Sequence, residues 1–421
     1  MENDIIELES VTDDISLENI IENLSGIEHE EEESFNYPFD PEEISIDTKP
    51  VTMETCLRRL KQKTIILNPD FQRNEVWDNV RKSQLIESLM LKIPLPMFYV
   101  SSDEKGIYTV VDGLQRLSTI RSFILGDAYL KNPHEAIEGN GFKLNGLEFW
   151  KDFEDKSFND LPSNIQNRIL ETVFSFTIIN PGTPEEVRRN IFNRINKGGL
   201  PLSSQEIRNA LYIGHSTKLL KELSQYSEFL NATSSSIKSL RMEDRELILR
   251  FLAFLIRDST TYTRTIGIDS FLSDTMIIIN ALPNLDSNEF KRILAKDKEK
   301  RIKIEDINRM NIDNIKELFK KGMLRSRAVF GKHTFRKSYG NNARSSINKS
   351  LFEMWGVLLA KLSDESFQKL QNNSEALIFE YSILLTTGRF HLDISRDSMK
   401  APSVKTRFEE IQTLINKNIH D

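Results

Sequence analysis

The stretch from Ile107 to Gly126, IYTVVDGLQRLSTIRSFILG, fixes more of this chain's geometry than any other. Ile107 to Val111 are all β-branched or aromatic, the composition of a buried strand. Asp112-Gly113 breaks that strand, and from Leu114 the period changes. Leu114, Leu117, Ile120, Ile124 and Leu125 recur at helical spacing, and Gly126 ends the helix. A strand that turns straight into a helix leaves unpaired N–H groups and the positive end of the helix dipole at the turn. That end suits a phosphate or a carboxylate. Gln115 and Arg116 lie in the first turn. Two readings are open: Asp112 merely caps the helix and Arg116 pairs with it, or the turn with Gln115 and Arg116 faces an anionic ligand.

The segment VVDGLQRLSTI resembles the Asp-Gly-Gln-Gln-Arg motif of the N-terminal domain of GmrSD-type modification-dependent restriction endonucleases, except that Leu114 stands where the first Gln is usual. Asn68 to Val100, with its FQRNEVW and Pro-x-Pro, is similar to the opening of that domain, and Phe192 to Ala210 to its later Asn-x-Gly-Gly segment. RMEDRELILRFLAF and FRKSYGNNARSSINKSLFEMW in the helical remainder resemble it more loosely. The resemblance implies a ParB/sulfiredoxin-like α/β domain that binds and hydrolyses a nucleoside triphosphate with Mg²⁺. It further implies coupling to DNA recognition in a restriction or anti-phage role. Asp112 and Arg116 would be catalytic, with Gln72, Arg73, Gly113, Gln115, Asn196 and Lys197 beside them on the nucleotide. The alternative is a non-catalytic DNA-binding or interaction module that recruits a separate nuclease.

Charge divides the chain. Residues 1–43 hold 16 Asp and Glu and no Lys or Arg, so a chain of net charge −7 carries a basic body behind an acidic end. Low hydrophobicity and the Glu30–Glu33 run make residues 1–45 an expected disordered tail, which either solubilises the protein or screens a nucleic-acid surface. No apolar run approaches a membrane span, the first ten residues lack a secretion signal, and a single cysteine, Cys56, excludes an internal disulfide. The expectation is a cytoplasmic protein, with homo-oligomer formation left open.

The α+β organisation follows from periodicity: residues 46–215 as the α/β domain and 216–421 as an all-α domain. Thr52 caps a helix to Lys61, a strand covers Ile65 to Leu67, and Asp78 caps a helix with Val80, Leu85, Ile86, Leu89 and Met90 inward and Arg81, Lys82 and Glu87 outward. Met97 to Val100 and Thr172 to Ile179 read as strands, with a loop-rich insertion over 128–160. Capping boxes at Thr183-Glu186 and Ser203-Glu206 open two helices flanking the Asn196-Lys197-Gly198-Gly199 turn. Beyond Leu219 helices are expected over 242–257, 268–280, 304–321, 343–361, 375–387 and 403–416.

Between Lys320 and Phe352 lie nine Lys and Arg and no acid. Arg325, Arg327, Lys332, Arg336, Lys337 and Arg344 interleave with aromatics, which suggests a phosphate-backbone surface or a solvated basic loop. The six histidines are scattered without metal-ligand spacing, and neither an HNH nuclease pattern, a Gly-x-Ser-x-Gly turn nor a phosphate-binding loop occurs. Pro69-Asp70 with Asp103-Glu104-Lys105 matches a loose Mg²⁺-nuclease pattern, but Ser101 to Gly106 reads more simply as a hairpin turn.

Overall fold

In the computed structural model the central stretch forms strand β4 (Tyr108–Asp112) and a helix, α3 (Leu114–Leu125). The structure describes residues 25–28, 30, 45–67, 77–126, 139–181, 183, 187, 188, 190, 191, 203–238, 241–263, 267–296, 300–386 and 388–420. They divide into two compact units, Tyr37–Leu211 and Met1–Asn36 with Tyr212–Asp421.

The first unit is built on a five-stranded mixed sheet. Its strands are β1 (Ile46–Thr52), β2 (Ile65–Ile66), β3 (Phe98–Ser102), β4 and β5 (Val173–Ile179), in spatial order β1-β5-β3-β4-β2. The β3–β5 and β2–β4 pairs are parallel; the other two are antiparallel. Alternation along the strands gives each face its own core. Phe98, Val100, Val110, Phe174, Phe176 and Ile178 pack against α1 (Met53–Lys61), α2 (Asn79–Met90), α3 and α4 (Ser163–Leu170). Val111 and Ile179 face the other way, onto Ile207 and Ala210 of α5 (Ser204–Leu211).

Several sequence expectations hold residue for residue. Thr52 accepts the Thr55 N–H and Asp78 the Arg81 N–H as helix caps. Ser203 and Glu206 form a reciprocal capping box, Ser203 N–H to Glu206 and Glu206 N–H to Ser203 Oγ at 3.1 Å. Asp103 closes the β3–β4 hairpin by accepting the Lys105 and Ile107 N–H groups, so it has a structural task in the turn.

Three expectations are corrected. Glu87 does not point outward: it is 3% exposed, and its carboxylate accepts the N–H groups of Glu148, Phe149 and Trp150. Three backbone donors replace water around the charge, which is why a carboxylate can sit among the apolar positions of α2. β1 and α4 are additions to the expected elements. The first is an edge strand that contains Pro50 and whose exposed residues show no alternation. Finally, Val80, expected on the inward stripe of α2, is 40% exposed at the start of the helix.

The second unit is helical in its described residues. In chain order its helices are α6 (His215–Ser224), α7 (Ser227–Ala232), α8 (Glu243–Ile256), α9 (Ile268–Ala281), α10 (Asn288–Lys296), α11 (Ile312–Phe330), α12 (Lys349–Lys361), α13 (Asp364–Asn372), α14 (Ser374–Thr386), α15 (Gly388–Asp393) and α16 (Ala401–His420). The helix expected over 304–321 starts at 312, because Asn311 caps it and Ile304–Asp306 is a single 3₁₀ turn. That expected over 343–361 starts after the Asn348 cap, and the bridge at Ile347 marks extended chain before it.

The acidic N-terminal segment belongs to this helical unit and is not free tail where it is described. Ile27 bridges to Ile347 in parallel, with Glu28 N–H on the Ile347 carbonyl at 2.8 Å and Ile347 N–H on the Gly26 carbonyl at 3.0 Å. Low hydrophobicity points to disorder here, but main-chain pairing and buried ion pairs hold the segment.

Candidate functional site

The turn between β4 and α3 depends on Gly113. Its φ is +94°, and a Cβ there would lie 2.3 Å from the Phe98 ring, so both backbone conformation and space call for glycine. Gly113 is the N-cap of α3 and offers no side chain to the first-turn N–H groups. Asp112 does not cap the helix. Its carboxylate accepts from Arg116 Nη2 at 2.9 Å and remains 40% exposed.

Arg116 is a structural hub. It donates to the carbonyls of Pro96 and Met97 as well as to Asp112, and its guanidinium lies 4.5 Å from the centre of the Phe98 ring. Burial lowers its pKa, and the Asp112 charge opposes that. The guanidinium thus staples the start of β3 to the first turn of α3. That corrects the expectation of a guanidinium free to converge on a triphosphate: a planar fork of five donors is largely taken up by two carbonyls and one carboxylate. Gln115 is half-buried in the same turn. Gln72, Arg73, Asn196 and Lys197 lie outside the described residues.

The basic stretch divides in the same way. Arg325 is buried, donating to the carbonyls of Leu359 and Leu362 and to Asp364. Arg336 is 3% exposed and donates to the carbonyls of Ser345 and Thr233 and to Ser236 Oγ. Lys337 pairs with Glu28 and Ser395. These three are therefore not phosphate contacts on an open surface, because desolvation has been met by fixed acceptors inside the unit. Arg327 is half-buried against Ser234 and Gly331, and Lys332 and Arg344 are exposed. Burial first, then the charges of Arg344 and Arg327, lower Arg336 to about 10, so positive potential gathers around this trio.

Other chemistry is sparse. Among the described residues no group of three His, Cys, Asp or Glu side chains could hold a metal ion. Burial pushes the Cys56 thiol up to about 12, which leaves it a poor nucleophile. Sequence reasoning missed the pairing of Glu28 with Lys337 and of Glu30 with Arg250; the acid-free run beside an acid-only end was the signal available for it.

Residues 55–213 match the family model described as GmrSD restriction endonuclease, N-terminal domain. The match covers less than half of the chain: residues 55–213 are similar to that domain, and the similarity suggests a restriction or defence-related setting. Comparison with curated proteins and with solved structures gives no significant match. Among the described residues no helix is long and apolar enough to cross a membrane.

Proposed function

We propose that the α/β unit is a ParB/sulfiredoxin-like nucleoside-triphosphate module whose binding and hydrolysis of nucleotide are coupled to DNA in restriction or anti-phage defence. The observation that carries this reading is the N-terminus of α3, which starts at a glycine with no capping side chain and presents its dipole at the end of a central strand. Phosphate oxygens accept from the first-turn N–H groups, and the Gln115 amide adds a donor. Asp112 is the carboxylate of the turn, and in this reading it is the protein's ligand to Mg²⁺ carried on the triphosphate. Bound there, the metal supplies charge neutralisation for phosphoryl transfer. Arg116 positions the turn and orients the Asp112 carboxylate. DNA phosphates meet Arg327, Lys332 and Arg344.

Titration calorimetry with each triphosphate, together with phosphate release, tests the site. Asp112→Asn is expected to cut turnover at least tenfold while sparing binding, and Gln115→Ala to weaken binding. Parental binding and turnover in both folded variants would falsify the site. The engagement of Arg116 with carbonyls favours the second reading, a non-catalytic module that recruits a separate nuclease; it predicts nucleotide or DNA binding without phosphate release.

A further inference from the structure

The acidic segment lies on the helical unit as a peptide lies on a receptor. Its backbone makes a parallel bridge from Ile27 to Ile347, which itself bridges antiparallel to Arg336. The Ser25 carbonyl accepts from Lys238 N–H at 3.1 Å. Ile27 is 3% exposed. Glu28 is held between Lys337 Nζ and Asn348 Nδ2, and Glu30 reaches Arg250 on α8. Glu28 and Glu30 thus both meet basic side chains of this unit.

That wall is prepared for an acid. Arg250 also meets Glu353 at 3.3 Å and Glu246 at 3.5 Å, Lys349 meets Glu246 at 2.9 Å, and Arg407 meets Glu353. With Glu30 in place the cluster holds three carboxylates against three cations. Without it, one buried positive charge is in excess. An incoming ligand must therefore be anionic. The burial of Ile27 and the main-chain pairing call for a polypeptide rather than a nucleic-acid strand.

We propose that this groove, formed by residues 336–348, α8 and the 395–398 turn, is a docking site for an extended acidic peptide of a partner protein, and that residues 25–30 fill it as a resident substitute. The peptide carries an apolar residue followed by carboxylates one and three positions on. Binding exchanges one strand for another, so the partner and the resident segment compete.

Gly26 gives a variant that frees the groove without altering its charges. Its φ is +75°, and a Cβ would lie 2.1 Å from the Ser236 carbonyl oxygen. In the full-length Gly26→Val chain, a fluorescent peptide of residues 20–34 is expected to bind saturably by polarisation. Its affinity should be at least tenfold higher than for the parent, whose own segment competes. Binding should be lost with a peptide carrying Glu28→Lys and Glu30→Lys, and with Lys337→Glu in the groove. Absence of binding to a folded Gly26→Val chain, or binding indifferent to those charge reversals, overturns the proposal. So does a parent chain that dimerises through this segment and falls to monomer in Gly26→Val, since the groove would then serve a second copy. Should Gly26→Val fail to fold, hydrogen exchange of the parent decides. Amides of Glu28 and Ile347 exchanging at least tenfold faster than those of α8 support an exchangeable strand; equal protection makes the segment a fixed part of the core and removes the proposal.

Discussion

The two units bury charge by different means. In the α/β unit Glu87 is surrounded by backbone N–H groups and Arg116 by backbone carbonyls, with one carboxylate beside it. In the helical unit the charges answer each other: Glu30, Arg250, Glu353 and Arg407 form a chain whose members come from distant parts of the sequence. A backbone dipole fixed by secondary structure stays in place when a neighbouring side chain changes. A buried counter-charge does not, and its loss strands its partner in a medium that solvates it poorly. Damage in the helical unit should therefore be larger and travel further.

The largest test is Glu353→Ala, which leaves Arg250 and Arg407 short of a carboxylate and should cost about 3–5 kcal/mol. Trp355 lies in α12 beside Phe330 and Tyr381, so its fluorescence during urea unfolding follows this unit. An apolar double replacement, Arg250→Met with Glu353→Leu, should cost less than the single change; if it costs as much, counter-charge is not what distinguishes the units. Glu87→Ala comes next, at about 3 kcal/mol, since it leaves three N–H groups without their acceptor. With Trp355→Phe as background, Trp77 and Trp150 report on the α/β unit.

Glu87 also sets a pH dependence. Burial pushes its carboxyl up, but the three N–H donors outweigh this and hold its pKa below the ordinary 4.5. Its stabilisation is present above that value and fades as pH falls through the lower, folded-state one. The parent should lose stability in the α/β unit below about pH 4.5 more steeply than Glu87→Gln does. Parallel acid profiles would remove Glu87 as the source. Arg116→Ala should cost about 2 kcal/mol, smaller because the carbonyls it leaves retain access to water at a partly open turn. The smallest effect on folding belongs to Arg327→Gln with Arg344→Gln. These should leave both unfolding transitions in place while the log–log salt dependence of DNA binding flattens by about 0.9 for each phosphate that is no longer neutralised. An unchanged slope would take that pair off the DNA.

What could be read from the sequence follows the same division. Caps, the Asp103 hairpin and the strand-to-helix change at Asp112-Gly113 are local patterns, spelled within a few residues, and they stand where expected. The edge strand Ile46–Thr52 is invisible in the sequence because its pairing to β5, not its own alternation, makes it a strand. Glu87 reads as solvent-facing because its three donors lie about sixty residues further on. The basic run reads as one surface because composition cannot tell a cation that faces phosphate from one that faces carbonyls. Arg325 and Arg336 are the second kind, and only the packing of α11 against α12 and the extended stretch before it reveals that.

Glu30 is made long before its partners exist. At 5–20 residues per second, a ribosome needs roughly 10–45 s to travel from Glu30 to Arg250, and longer to reach Glu353 and Arg407. Throughout that interval the whole α/β unit emerges and can fold, while the acidic strand waits without a groove. The helical unit thus becomes whole only after the α/β unit has been made, and its assembly recruits residues made before that unit as its closing piece. A ribosome stalled before residue 250 should carry a folded α/β unit and an unclaimed acidic end.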